Sequence, residues 1–103
     1  MIKDVKNMEP LAREATALLK SLAHPDRLMI CCQLRDTELS VSEIEKAIGI
    51  RQPRLSRELS KLREEGLVET RREAKSIYYR LSDASRAGAM VDALCAVMLD
   101  KVV

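Results

Sequence analysis

Apolar residues recur along most of this chain at spacings of three and four, the pattern of helices that bury one face. Leu11, Ala15, Leu18, Leu19 and Leu22 form the first stripe and predict a helix from Glu9 or Pro10 to Leu22, behind a loose end at residues 1–8. Proline suits a first helical turn. His24-Pro25 breaks the pattern, because the residue before a proline is pushed out of the helical region. Pro25 then opens a second helix carrying Leu28, Met29, Cys31, Cys32 and Leu34, with Asp26 in its first turn, where the helix dipole favours an acid. The polar run 35–40 reads as a connection. Ser40 with Glu43 three residues on is a capping-box pattern for a third helix, Val41 to Ile48, which Gly49 ends.

Leu55, Leu59 and Leu62 fall at i, i+4 and i+7 and predict a fourth helix, from Arg51 to Glu65. Its other face presents Gln52, Arg54, Ser56, Arg57, Ser60 and Lys61. These side chains suit DNA: Arg pairs with guanine, Gln with adenine, and Ser and Lys with phosphate oxygens. A helix, a glycine-containing turn and a polar-faced helix make a helix-turn-helix. After Gly66 the chain is rich in strand formers, predicting short strands over 67–71 and 76–81 with a charged tip, Arg-Glu-Ala-Lys, between them. A basic hairpin directly after a helix-turn-helix is a wing, and Arg71, Arg72 and Lys75, with Arg80, are placed to meet the phosphate backbone or a minor groove. A last helix, 84–101, is apolar nearly all round and must be covered on more than one side. A homodimer interface shared with helix 9–22 supplies that cover. The expected fold is therefore mainly α: one winged helix-turn-helix domain over 1–103, with five helices, a two-stranded β-wing and a homodimeric state.

Composition sharpens this picture in two places. The chain has no Trp, no Phe and two Tyr in 103 residues, so its core is built from aliphatic side chains, which favours helices. The formal charge is only +2, yet residues 51–80 hold nine Lys/Arg against five Asp/Glu, while the rest holds nine against eleven. Positive charge is concentrated on the two elements assigned to DNA. No apolar run approaches the roughly 18 residues of a membrane span, and no signal peptide is visible. A soluble cytoplasmic protein is expected. Three cysteines, an odd number, point to reduced thiols rather than a secreted disulfide framework. An enzyme is disfavoured: there is no Cys-x-x-Cys, no His beside a Cys and no Gly-rich cofactor loop.

The segment LAHPDRLMI and the run QPRLSRELSKLREEGLVETRREAKSIYYRL resemble the arsenic-repressor (ArsR) family of small dimeric winged-helix repressors, over about residues 15 to 82. The resemblance implies a dimer that occupies a palindromic double-stranded operator until an inducer binds. It carries DNA-facing roles to Gln52, Arg54, Ser56, Arg57 and the wing cations. Metal-sensing members carry a Cys-x-Cys motif at the start of the third helix, where this chain has Ser40 and Ser42 within Leu39–Glu43, or His ligands on the last helix, where it has Asp92 and Asp100 but no His. No metal and no cofactor are expected. His24, the only histidine, reads as a cap or turn residue.

Cys31 and Cys32 in the second helix and Cys95 in the last are similar to the thiol- and persulfide-sensing branch of that family, the BigR, SqrR and HlyU regulators. In that branch, one Cys on each of these helices reacts with persulfide or oxidant and the two become bridged, which weakens DNA binding. Cys32 matches the branch's first Cys, and Cys31 is extra. The branch's second Cys falls about where Met98 stands, so Cys95 lies about one helical turn, near 5 Å, away from it. A disulfide needs Cα atoms within roughly 7 Å. Whether Cys31 or Cys32 faces Cys95, and whether a disulfide or a polysulfide joins them, stays open at this level. Three thiols also suit arsenite or antimonite, soft centres that favour thiolate ligands, which is the alternative inducer.

Overall fold

The computed structural model describes residues 4–83 and 86–98. Among these the elements run α1 (Val5–Leu22), α2 (Pro25–Gln33), β1 (Leu39–Ser40), α3 (Val41–Ile48), α4 (Arg54–Glu64), β2 (Val68–Glu73), β3 (Ser76–Leu81) and α5 (Ala87–Met98). The three strands form one antiparallel sheet in the order β1-β3-β2. Five helices and a hairpin wing are therefore present, as the sequence implies.

Helix starts follow their caps. Asp4 accepts from the Lys6 backbone N–H at 2.9 Å and sets the start of α1, so residues 5–8 are helical rather than a loose end. Val5 and Met8 in this added turn are exposed. With the turn included, Pro10 lies inside α1. Ser40 and Glu43 close the expected capping box: the Ser40 hydroxyl accepts from the Glu43 N–H at 3.2 Å, and the Glu43 carboxylate accepts from the Ser40 N–H at 2.8 Å. Gly49 ends α3 at φ 73°, a left-handed conformation that a β-carbon disfavours.

Three further boundaries differ from the sequence reading. The connection 35–40 ends in β1, which pairs Leu39 with Tyr79 and Ser40 with Tyr78 and makes the sheet three-stranded. A two-residue strand has no pattern of its own; the free edge of β3 creates it. The wing is longer than expected, β2 running to Glu73, and its tip is the two-residue turn Ala74-Lys75, with Ala74 at φ 54°. α4 begins at Arg54, because Pro53 excludes its predecessor from the helix, and Gln52 lies outside it. Of the expected last helix, residues 84, 85 and 99–101 lie outside the described residues.

The core sits where α2, α3, α4 and α5 converge. Leu55, Leu59 and Leu62 of α4, Ile30 of α2 and Leu34 at its C-terminal cap, Ile44 of α3 and Val91 of α5 are all at most 2% exposed. The leucine stripe thus fixes which side of α4 faces outward. Truncating Leu59 to Ala leaves a cavity at the centre of this cluster and is expected to cost about 2–5 kcal/mol in chemical denaturation. Only Ala87, Val91 and Cys95 of α5 are buried, whereas Val97 and Met98 are 66% and 65% exposed.

Candidate nucleic-acid interface and thiol pair

The outward face of α4 divides into free and committed side chains. Arg57 and Ser60 are exposed and form no side-chain hydrogen bond or ion pair among the described residues. Lys61 lies 3.6 Å from Glu65 on the next turn and stays about half exposed. Pro53, the residue at the helix start, has no side chain able to cap. Gln52 does that work: its Oε1 accepts from the Ser56 N–H at 2.9 Å and from the Ser56 hydroxyl, so these two predicted contacts hold each other.

Arg54 is not free. Its Nε and Nη2 each donate to the Asp26 carboxylate at 2.6 Å, a bidentate pair that joins the first residue of α4 to the first turn of α2. Asp26 is 2% exposed. The hydrogen bonds from Arg54 outweigh burial and hold its carboxyl below the usual carboxylate range. Beside it, Arg27 donates to Glu58 at 3.0 Å and to the Ser21 carbonyl at 2.6 Å. His24 caps α2 by accepting from the Asp26 N–H on Nδ1, and its Nε2 lies 3.9 Å from Glu58. His24, Asp26 and Glu58 bring possible ligand atoms within 4.8 Å of one another, but arginines engage both carboxylates.

The wing shows the same division. Arg71 grips Glu38 with Nε at 2.8 and 2.9 Å and also with Nη2, donates to Glu73 at 3.2 Å, and lies 4.8 Å over the Tyr78 ring. Its hydrogen bonds hold the Glu38 carboxyl low. Arg80 is bound to Glu69 and Asp83. Arg72 and Lys75, nearer the tip, are exposed and make no ion pair among the described residues. Of the cations expected to face DNA, those left available to an anionic partner are Arg57, Lys61, Arg72 and Lys75. The sequence reading missed the acids that hold the others: Asp26 for Arg54, Glu38 and Glu73 for Arg71, and Glu69 and Asp83 for Arg80. The one available signal was Asp26-Arg27 set against Arg54 and Glu58 at i,i+4, opposite charges in complementary order.

The thiols are resolved by packing. Cys32 of α2 and Cys95 of α5 form a disulfide with Cα atoms 6.7 Å apart. Beside this pair Arg35, two residues past the end of α2, donates to Asp92 of α5 at 3.0 Å. Cys31 points about 100° away, into the core, where it is fully buried and free. Burial pushes its thiol up to about 12, far from thiolate formation at neutral pH. In reduced native protein at pH 8, Cys31 is expected to resist an alkylating reagent that labels Cys32, and to react only after denaturation. Peptide mapping by mass spectrometry checks this, and early labelling of Cys31 contradicts the burial.

A helix-turn-helix with an exposed cationic face, followed by a wing with cations near its tip, defines a winged helix-turn-helix protein. The family model described as "Bacterial regulatory protein, arsR family" matches residues 24–70. The biofilm growth-associated repressor of Agrobacterium fabrum is 52% identical over 90 residues, covering 87% of this chain and 76% of that protein. The transcriptional activator HlyU of Vibrio cholerae is 41% identical over 91 residues, covering 88% of this chain and 83% of its own length. Among solved structures, the transcriptional repressor BigR from Xylella fastidiosa superposes with a TM-score of 0.88 at 46% identity, covering 97% and 98% of the two chains. This chain belongs to the arsR family of bacterial regulatory proteins.

Proposed function

We propose that this protein is a cytoplasmic transcriptional repressor, a homodimer through α1 and α5, that binds a palindromic operator and releases it when Cys32 and Cys95 become bridged. The observation that carries the reading is the placement of those two sulfurs within bonding reach across α2 and α5. Repression rather than activation is favoured by the 52% identical relative, which is named a repressor. The exposed Val5, Met8 and Leu19 of α1 and Val97 and Met98 of α5 support a second copy as the cover for those faces. Two-fold symmetry then presents two α4 helices to successive major grooves. Gln52, Arg54, Ser56, Arg57, Ser60 and Lys61, with Arg71, Arg72 and Lys75, make up the DNA-facing set, within which Arg57, Arg72 and Lys75 are free to reach DNA directly.

The sensing chemistry is a two-electron oxidation. With hydrogen peroxide, two thiols yield one disulfide and two waters. With an organic persulfide, the Cys32 thiolate takes the outer sulfur and releases a thiol; the Cys95 thiol then displaces hydrosulfide to close a disulfide, a polysulfide being the longer product. Cys31 stands outside this step. Its burial also weighs against arsenite or antimonite held by three thiolates, since one of the three stays protonated inside the core.

The test is a titration of the protein against a fragment of its own upstream region, reduced and after persulfide or peroxide. Reduced protein is expected to bind about 5- to 150-fold more tightly, the usual range for coupling between two sites. Equal affinities overturn the thiol switch. No specific binding by the reduced protein overturns the repressor.

A further inference from the structure

α2 ends near the thiol and begins at the DNA-facing helix. Cys32 lies six residues, about 9 Å along the axis, from Asp26. Asp26 and Arg27 hold Arg54 and Glu58 in two ion pairs of opposite polarity, and Arg54 and Glu58 lie one turn apart on one side of α4. Asp26 and Glu58 are the more buried partners, their side chains 4% and 13% exposed. A pair of crossed charges fixes both the axial position and the roll of one helix against another. A single contact leaves one of them free.

We propose that the first turn of α2 clamps α4 through Asp26–Arg54 and Arg27–Glu58, so that Arg54 and Glu58 are positioning residues through which the state of Cys32 reaches the DNA-facing surface. Arg54 then serves DNA binding by aiming α4, and Arg57, exposed and without an ion pair among the described residues, makes contact itself. A bridge that draws the second half of α2 toward α5 tilts α2 as a rigid rod, and the clamp passes that tilt to α4. This inference rests on the proposed thiol switch.

The experiment uses the full chain with the near-isosteric changes Asp26→Asn and Glu58→Gln, each breaking one pair. DNA affinity is measured in the reduced and peroxide-bridged states over a salt series, with intact mass reporting the bridge and circular dichroism the fold. The wild-type ratio of bridged to reduced dissociation constants is expected to shrink about two- to thirtyfold in each variant, the range by which residues along a coupling route act. Bridging itself proceeds as in wild type. In Glu58→Gln the slope of log affinity against log salt stays at the wild-type value, because no phosphate contact is removed and no DNA-facing cation is released. An unchanged ratio in folded, fully bridged Asp26→Asn and Glu58→Gln overturns the clamp while the switch stands. A wild-type ratio of one overturns the switch and the clamp with it.

Discussion

Cys95→Ser is expected to leave operator binding by the reduced protein intact and to abolish its response to persulfide and peroxide. Cys95 is 1% exposed and sits in the stripe of α5 that faces the core, so serine, nearly the same size, fits where the thiol did. The hydroxyl can neither donate a sulfur nor accept one, and the bridge to Cys32 becomes impossible. Without it, oxidant has no means of favouring one arrangement of α2 against α5, and a ligand that does not distinguish two states shifts nothing. The full coupling, about 5- to 150-fold in affinity, is therefore lost in one substitution. Cys32→Ser is expected to behave alike, whereas Cys31→Ser leaves induction in place. Retained induction in both the Cys32 and the Cys95 variants contradicts a paired-thiol sensor, and the inducer must then be sought elsewhere.

Arg57→Ala is expected to weaken operator binding by about 5- to 150-fold, corresponding to the 1–3 kcal/mol of a specific base contact. Arg57 projects from the exposed side of α4 and has no acid holding it among the described residues, so its guanidinium is available to a base edge or a phosphate. The two roles separate cleanly. A base contact shows as relaxed discrimination at one operator position, and a phosphate contact as a salt slope lower by about one. Folding stability is expected to change little, because an exposed helical Arg→Ala removes neither core volume nor a buried partner. Unchanged affinity for the operator contradicts the assignment of α4 as the recognition helix.

Local chemistry governs the part of the fold that is legible in the sequence. The Leu55, Leu59 and Leu62 stripe, the Ser40–Glu43 capping box and the strand formers around Tyr78 and Tyr79 each act within one element, and α4, α3 and β3 follow from them. The remainder depends on groups far apart in sequence. β1 exists because β3 offers an edge some forty residues on, and nothing in Leu39-Ser40 alone foretells it. Arg54 reads as a DNA contact until Asp26, 28 residues earlier, is found holding it. Arg71 reads the same way until Glu38 and Tyr78 surround it. Adjacent cysteines on a helix must diverge, but only the packing of α5 decides that Cys32 meets Cys95 and Cys31 enters the core. The one-turn offset of Cys95 from its expected place is absorbed there too, since the Cα atoms come within 6.7 Å. Sequence patterns locate faces, and tertiary charge pairing decides which residues on a face remain free.

The most direct test of the central claim is to equilibrate the protein in a graded series of glutathione redox buffers and read two quantities on each sample. Intact mass gives the fraction bridged between Cys32 and Cys95, and fluorescence anisotropy gives the fraction bound to operator DNA. Lost binding is expected to follow the bridged fraction across the whole series, and added operator is expected to shift bridging toward more oxidising buffer, as linkage requires. Protein fully bridged at Cys32–Cys95 that still holds the operator as tightly as reduced protein contradicts the thiol switch.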